Sequence, residues 1–307
     1  MATPSGVVQR GRAFRGFRAF GAAMREARGT QHRALTLIGA ALVAAFVLMA
    51  LLAPVLYPGD PTRPSNDLLQ PPSAAHPFGT TRIGADVFGQ AVHGSAIALS
   101  VVLLASAFSL VIAVPLGLFS GYLGGRLDRG LLFLMDSLYA FPGLLLAIVL
   151  LALFQNTAAT TLFGVAAAIS VVYIPQYYRV VRNQTLQVKA EPFVEAAKAL
   201  GAKPGHIIRK YVFLNVLPSV PVILTLNAAD AILTLAALGF LGFGPQPTPE
   251  WGYTLAQAAS EVTFSPPIWW TSLFPGLFIV LLVTGITLLG EGLNDLLNPV
   301  LKERGRP

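Results

Sequence analysis

The sequence predicts an all-α membrane protein with six transmembrane helices. Three observations predict this class: an apolar composition, six stretches long enough to cross a bilayer, and basic residues concentrated on one side of those stretches. Of the 307 residues, 54% are apolar and only 11% are charged, whereas an ordinary soluble domain has about 25% charged residues. The bilayer is therefore the expected solvent of this chain.

Each predicted span supplies the roughly 20 mostly apolar residues that a helix needs to cross a hydrocarbon core about 30 Å thick. Helices are expected because the bilayer core has no water to satisfy backbone N–H and C=O groups. The spans run over Leu35 to Leu56, Ala96 to Phe119, Leu131 to Phe154, Leu162 to Tyr178, Val212 to Leu241 and Ile268 to Leu289. The chain is thus divided into a first helix at 35–56, an extracytoplasmic loop at 57–95 and a five-helix core at 96–296.

The basic residues predict the orientation, since lysine and arginine are retained on the cytoplasmic side of membrane proteins. Of the 21 lysines and arginines, only Arg63 and Arg82 fall on the other side of the predicted spans. Both termini, segment 1–34 and tail 297–307, are therefore expected in the cytoplasm. The basic segment 1–34 is either a helix lying in the interface on anionic lipids or an unordered tail. Because topology explains the net charge of +7, no nucleic-acid partner is expected.

A short charged segment, Glu191 to Pro204, separates the fourth and fifth spans. Its alanines, glutamates and lysines favour a helix, and Gly201 followed by Pro204 is typical of a helix end. A charged helix on the membrane face is suited to bind a soluble partner.

The sequence contains no motif for ATP hydrolysis or for metal binding. It has no phosphate-binding loop of the form G-x-x-x-x-G-K-[ST] and no cysteine, and its four histidines are not spaced as a metal site. We therefore expect the chain to hold no cofactor, no metal and no ATPase site. Energy for any transport must then come from another subunit.

A set of short motifs extends in order from about residue 76 to Pro299. They include His76-Pro77-Phe78-Gly79-Thr80, Ala140-Phe141-Pro142, Glu195-Ala196-Ala197 with Gly201 after three further residues, and Leu273-Phe274-Pro275-Gly276. This set resembles the second permease of ATP-binding cassette (ABC) importers for dipeptides, oligopeptides or nickel. The segment 189–210 resembles the EAA loop of those permeases.

The resemblance implies a type I ABC importer permease fold with a cytoplasmic coupling helix formed by the EAA loop. Glu195 would be the charged contact to an ATPase subunit, Ala196 and Ala197 would allow close packing, and Gly201 would form the turn. The implied partners are a second homologous permease, two cytoplasmic ATPase subunits that bind ATP and Mg, an extracytoplasmic substrate-binding protein and membrane lipid.

The chain departs from the family pattern at several positions. The family usually continues from the EAA loop to I-x-L-P, whereas this chain has Tyr211-Val212-Phe213-Leu214 there and a later Pro218. Thr81 and Ala85 replace an acid and an arginine, and Leu235 replaces an acid in the fifth span. These differences bear on substrate identity more than on architecture.

Two carboxylates fall within predicted spans, where a charge is costly unless it is paired. Asp136 is near the cytoplasmic end of the third span, and a structural ion pair with Arg179 or Arg182 is favoured over a role in transport. Asp230, one turn after Asn227, has no evident cationic partner in the chain. Asp230 and Asn227 either line the translocation path, or Asp230 hydrogen-bonds the partner permease.

Three tryptophans occur in the proline-rich connection before and into the sixth span. Trp269 and Trp270 are expected in an aromatic belt at the level of the lipid headgroups. Trp251 is a candidate to face a partner.

The expected function is that of a permease subunit of an ATP-driven importer, which moves di- or oligopeptides across the cytoplasmic (inner) membrane. Import of nickel or another small solute is the alternative within this class, disfavoured by the absence of cysteine and of intramembrane histidine. A proton-coupled secondary transporter using Asp136 and Asp230 belongs to a different class, but the internal repeat expected of it is not detected. A membrane scaffold without transport activity is the third alternative.

Overall fold

The computed structural model of the chain describes residues 33–153, 161–245, 248–259, 261, 263 and 268–297, which form helices and connecting loops. Within these residues, strand-like pairing is limited to one isolated bridge between Thr80 and Asp86. The predicted all-α class is therefore confirmed for the described part of the chain. The predicted interfacial helix in segment 1–34 and the predicted tail 297–307 lie almost wholly outside it.

The described helices are joined by connections of different lengths, the longest of which is the loop 57–86 between α1 and α2. They are α1 Arg33–Leu56, α2 Val87–Leu123, α3 Gly125–Ala140, α4 Gly143–Leu153, α5 Leu162–Lys189, α6 Pro192–Ala199, α7 Pro204–Ile207, α8 Phe213–Val216, α9 Val220–Phe240, α10 Trp251–Ala258 and α11 Trp270–Leu297. A π-helical turn, Ile208–Val212, joins α7 to α8, and a 3₁₀ turn, Leu217–Ser219, joins α8 to α9. Residues Pro204–Phe240 therefore form one helical run.

Four segments of the described chain are long and apolar enough to cross a membrane: Arg33–Leu56, Val87–Leu123, Pro204–Phe240 and Trp270–Asn294. Helices α3 and α4 satisfy the same requirement only as a pair, which makes a fifth candidate. Helix α5 has 28 residues, but Gln176, Arg179 and Arg182 shorten its apolar stretch. Length and composition thus support four or five spans in the described part of the chain, and the total of six stays a prediction.

The predicted third span, Leu131 to Phe154, is not one straight helix. Helix α3 ends at Ala140, Phe141 is extended with φ −77° and ψ 138°, and α3 and α4 meet at an angle of 93°. Pro142 causes this break because it has no backbone N–H and disfavours the helical conformation of the residue before it. A continuous helix through Pro142 is therefore wrong.

Helix α2 begins at Val87, earlier than the predicted Ala96. Asp86 caps it, since its Oδ1 accepts hydrogen bonds from the backbone N–H groups of Phe88 (2.8 Å) and Gly89 (3.1 Å). The first turns of α2 contain polar residues, so a search for apolar spans does not include them. The loop before α2 is accordingly 57–86.

Helices α2 and α5 pack closely through small residues. A Cβ on Gly117 would lie 2.9 Å from the Cβ of Val181, and one on Gly121 would lie 2.8 Å from the carbonyl oxygen of Arg182. The Ser109 hydroxyl of α2 also donates to the Ser170 carbonyl of α5 at 3.1 Å. Membrane helices commonly associate through such small residues because their backbones can then approach closely.

Two of the three tryptophans are buried and join distant parts of the chain. Trp251 is 2% exposed and donates to the Ala91 carbonyl at 3.0 Å, so its predicted exposure to a partner is wrong. Trp270 is 8% exposed and donates to the Thr80 carbonyl at 3.1 Å, which removes it from the predicted headgroup belt. Trp269 is 50% exposed, and its place in that belt stays a prediction.

Candidate functional site

The charged segment between α5 and α7 forms helix α6, which follows α5 after a two-residue connection. Pro192 occupies the first helical position, where the missing N–H costs nothing because no carbonyl precedes it in the helix. At the other end, the N–H groups of Gly201 and Ala202 donate to the carbonyls of Lys198 (2.9 Å) and Ala197 (3.0 Å). Gly201 has φ +80°, so it forms the left-handed residue of a Schellman turn.

One face of α6 is anchored to the helix bundle. Val194 and Ala197 are 0% and 8% exposed and belong to an apolar cluster that includes Leu118 and Tyr122 of α2 and Val181 of α5. Their spacing of three residues places both on one side of the helix. The anchor fixes α6 against the two closely packed helices described above.

The opposite face of α6 is open. Glu195, Ala196 and Gly201 are exposed, whereas Ala197 is turned inward, so the small size of Ala197 serves the anchor rather than an outer surface. Leu200 is 88% exposed, and no role was predicted for it. A large apolar residue directly before the helix-ending Gly201 of a charged segment is the signal that could have identified it.

Two ion pairs link α3 to α5. Arg179 Nη2 lies 2.7 Å from Asp136 Oδ1, and its guanidinium lies 4.2 Å from the centre of the Tyr139 ring. Arg182 does not pair with Asp136. It binds Asp128 instead, through Nε to Oδ1 at 2.6 Å and Nη2 to Oδ2 at 2.7 Å. Asp128 was missed because it precedes the predicted third span.

Asp230 and Asn227 lie one turn apart on α9 but in different surroundings. Asp230 is exposed and accepts a hydrogen bond from the Tyr173 hydroxyl at 2.8 Å. The Tyr173 hydroxyl also lies 3.0 Å from the hydroxyl of Thr234. Asn227 is 5% exposed, and its Nδ2 has no hydrogen-bond partner in the described structure. The structure therefore adds a neutral partner, Tyr173, for a carboxylate that remains open to the surface.

A histidine clasp closes the loop before α2. His76 Nδ1 lies 2.8 Å from Asp86 Oδ2, and His76 Nε2 lies 3.6 Å from Asp67 Oδ2. The hydrogen bond to Asp86 raises the pKa of His76 above its ordinary value. Since Asp86 also caps α2, the clasp ties the loop to the start of that helix.

Several charged groups of the described residues are paired with one another within the chain. Asp128 and Asp136 each pair with an arginine, and His76 pairs with Asp86. Across the described ranges, no group of three or more histidine, aspartate or glutamate side chains could hold a metal ion. The geometry thus offers one anchored helix with an open polar face and one carboxylate on the surface of α9.

Comparison with known proteins identifies the kind of subunit this is. Residues 113–303 match the family model described as "Binding-protein-dependent transport system inner membrane component". The chain is 39% identical to the dipeptide transport system permease protein DppC of Alkalihalophilus pseudofirmus, over 87% of this chain and 86% of that protein. It is 38% identical to the probable D,D-dipeptide transport system permease protein DdpC of Escherichia coli, over 86% and 87%.

Two further comparisons agree with this assignment. The glutathione transport system permease protein GsiD of Pectobacterium atrosepticum is 36% identical, over 75% of each chain. An inward-facing structure of the MetNI methionine ABC transporter has the same fold, with a TM-score of 0.55 and 20% identity over 71% of this chain and 98% of that one. This chain therefore belongs to the family of binding-protein-dependent transport system inner membrane components, and it is a multi-pass membrane subunit of a transport system.

Proposed function

We propose that this chain is one of two permease subunits of an ATP-driven importer that carries di- or oligopeptides across the cytoplasmic membrane. The observation that carries the proposal is the similarity, at 36–39% identity, to proteins named as dipeptide, D,D-dipeptide and glutathione permeases. These names favour a peptide over nickel as cargo. The anchored α6 and the exposed Asp230 of α9 are consistent with a subunit that transmits movement from an ATPase and lines a translocation path.

Helix α6 is the proposed coupling helix. Its anchored face, Val194 and Ala197, supports transfer of a push or pull to α2 and α5. Its open face presents Glu195, which can accept a charge-assisted hydrogen bond from an arginine of an ATPase subunit. Ala196 leaves room for close approach, and the exposed Leu200 can fill an apolar depression on the same subunit.

The proposed topology has six spans, with α3 and α4 counted as one broken span and α5 as another. Both termini and α6 then lie in the cytoplasm, and the loop 57–86 lies outside, where an extracytoplasmic substrate-binding protein would approach. This arrangement keeps the arginines and lysines near α6 on the cytoplasmic side, as their distribution requires.

The proposed translocation path runs along the face of α9 that carries Asp230, between this chain and a second homologous permease. A carboxylate that is exposed on the surface of one subunit costs least where it meets water or a cationic group, such as the ammonium of a peptide. Asn227 lies one turn away but is 5% exposed, so Asp230 rather than Asn227 is the proposed contact to the cargo. ATP and Mg would be bound by two partner ATPase subunits, and this chain would hold no cofactor.

Reconstitution tests the proposal. The chain is placed in proteoliposomes with a second permease, two ATPases and a binding protein from its own genome, and uptake of a radiolabelled dipeptide is measured with and without ATP. We expect ATP-dependent uptake, and loss of that uptake together with loss of ATPase association in the Glu195→Arg variant. Glu291→Arg is the matched control because Glu291 is also exposed but lies on α11.

Two outcomes would contradict the proposal. The first is dipeptide uptake by the chain alone, driven by a proton gradient and indifferent to ATP. The second is full retention of ATPase association in the Glu195→Arg variant combined with loss in the control.

A further inference from the structure

A cavity of about 310 Å³ lies beside the start of α2, at the opposite end of that helix from α6. One wall is the turn that carries Thr81, Arg82 and Ile83, and the other is formed by Ala256, Gln257 and Glu261 at and beyond the end of α10. The volume falls at the lower end of the range of roughly 300–1,000 Å³ found for small-ligand sites. A small molecule therefore fits this cavity better than a segment of a protein does.

The two walls carry charges of opposite sign. Arg82 is exposed and forms no ion pair with any residue in the described ranges. Glu261 is 1% exposed, and its Oε2 has no hydrogen-bond partner among the described residues. A buried carboxylate oxygen without a donor is costly, so a ligand that brings a donor to Glu261 would remove that cost.

We propose that this cavity binds the charged ends of a free short peptide. The Arg82 guanidinium binds the peptide carboxylate, for which its forked donors are well matched, and Glu261 binds the peptide ammonium. Gln257 and Thr81 supply further polar contacts, and Ile83 and Ala256 supply an apolar surface for a side chain. This inference rests on the proposed function, and it adds a binding site on the extracytoplasmic side of the permease itself.

The test measures binding rather than transport. The intact transporter, with its partner subunits in nanodiscs and without nucleotide or binding protein, is titrated with radiolabelled Ala-Ala by equilibrium dialysis. We expect saturable binding of Ala-Ala and at least about tenfold weaker binding of N-acetyl-Ala-Ala-amide, because a hydrogen bond to a charged group contributes about 1.5–3 kcal/mol. Arg82→Ala and Glu261→Gln should each weaken Ala-Ala binding by a similar factor.

Two further variants separate the cavity from general effects. Arg63→Ala removes an exposed arginine from the same loop outside the cavity and should bind Ala-Ala as the unaltered protein does. Ala256→Phe fills the cavity while leaving both charges in place and should abolish binding. Size-exclusion chromatography of each variant establishes that the complex remains assembled.

Equal affinity of Arg82→Ala, Glu261→Gln and the unaltered protein for Ala-Ala would overturn the inference, as would equal binding of the blocked peptide. Detection of Ala-Ala only when the binding protein is added would also overturn it, because the site would then belong to that protein. Uptake assays in parallel distinguish the two proposals. ATP-dependent uptake of Ala-Ala without charge-dependent binding would refute only the peptide site in the cavity. Charge-dependent binding without any uptake would refute the proposed function.

Discussion

Arg182 and Asp128 form a bidentate ion pair that joins α5 to the first turn of α3, with N–O distances of 2.6 and 2.7 Å. Their side chains are 17% and 14% exposed, and the Ser120 hydroxyl of α2 donates to the same carboxylate. The neighbouring pair, Arg179 and Asp136, makes one hydrogen bond and is 36% and 59% exposed. Three helices therefore meet at Asp128, but only two at Asp136.

The two ion pairs should differ in their contribution to stability. Arg182→Ala leaves Asp128 largely buried without its cation, and we expect a loss of about 2 kcal/mol, below the 3–5 kcal/mol of a fully buried pair because some water reaches the site. Arg179→Ala breaks an exposed pair and should cost about 0–1 kcal/mol. Thermal or denaturant unfolding of the two detergent-solubilised variants measures the difference. Equal losses in the two variants would contradict this ranking.

Gly201 should be required for the end of α6. Its φ of +80° is unfavourable for a residue with a Cβ, so Gly201→Ala is expected to cost about 1 kcal/mol and to expose the amides of Gly201 and Ala202 to exchange. Gly205 is the matched control because it lies in helical conformation with open space around it. Gly205→Ala should be neutral or slightly stabilising. Hydrogen exchange of peptides that cover 192–207 checks both, and unchanged protection in Gly201→Ala would refute the role of the turn.

Gly252 allows α10 to approach α9. A Cβ at this position would overlap the Ala236 carbonyl oxygen, a backbone atom that cannot rotate away. Gly252→Ala should therefore cost about 1–3 kcal/mol or displace α10. Gly276 on α11 has its nearest neighbour, the Leu255 Cδ2, at 4.0 Å, so Gly276→Ala should be tolerated. Comparison of melting temperatures and folded yields decides the point, and equal tolerance of both changes would show that the α9–α10 contact is looser than described.

The His76 clasp should weaken as the pH rises. Since the hydrogen bond to Asp86 holds the pKa of His76 above its ordinary value of 6.5, the folded protein retains that proton at a pH where the unfolded chain has lost it. The contribution is fully present below pH 6.5 and is lost as the pH passes the raised value. Thermal unfolding between mildly acidic and mildly basic pH should show this loss in the unaltered protein and not in His76→Gln. An identical pH profile in both proteins would exclude the clasp as its source.

Much of the helical framework could be predicted from apolar stretches. The predicted first span, Leu35 to Leu56, matches α1 closely, because an uninterrupted apolar run has no alternative fold in a bilayer. The charged segment before Gly201 was also predicted as a short helix, since its composition and its glycine act locally. These features depend on residues that are near one another in the sequence.

The missed features depend on contacts between distant residues or on a local break within an apolar run. Pro142 divides α3 from α4, although the residues on either side are apolar enough for one span. The partner of Arg182 is Asp128 rather than Asp136, and only the packing of α5 against α2 and α3 decides this. Similarly, the inward turn of Ala197 and the burial of Trp251 follow from the tertiary structure and not from the identity of either residue.

Pro115 lies within α2, before the part of α2 that packs in the same cluster as α6. Leu118 and Tyr122, which share an apolar cluster with Val194 and Ala197 of α6, both follow Pro115, and a proline removes one hydrogen bond from the helical ladder. Bending α2 at Pro115 therefore costs less than bending it elsewhere. The last two turns of α2, beyond Pro115, can therefore bend as a unit, so a displacement of α6 would move this end of α2 before it moves the rest of the helix.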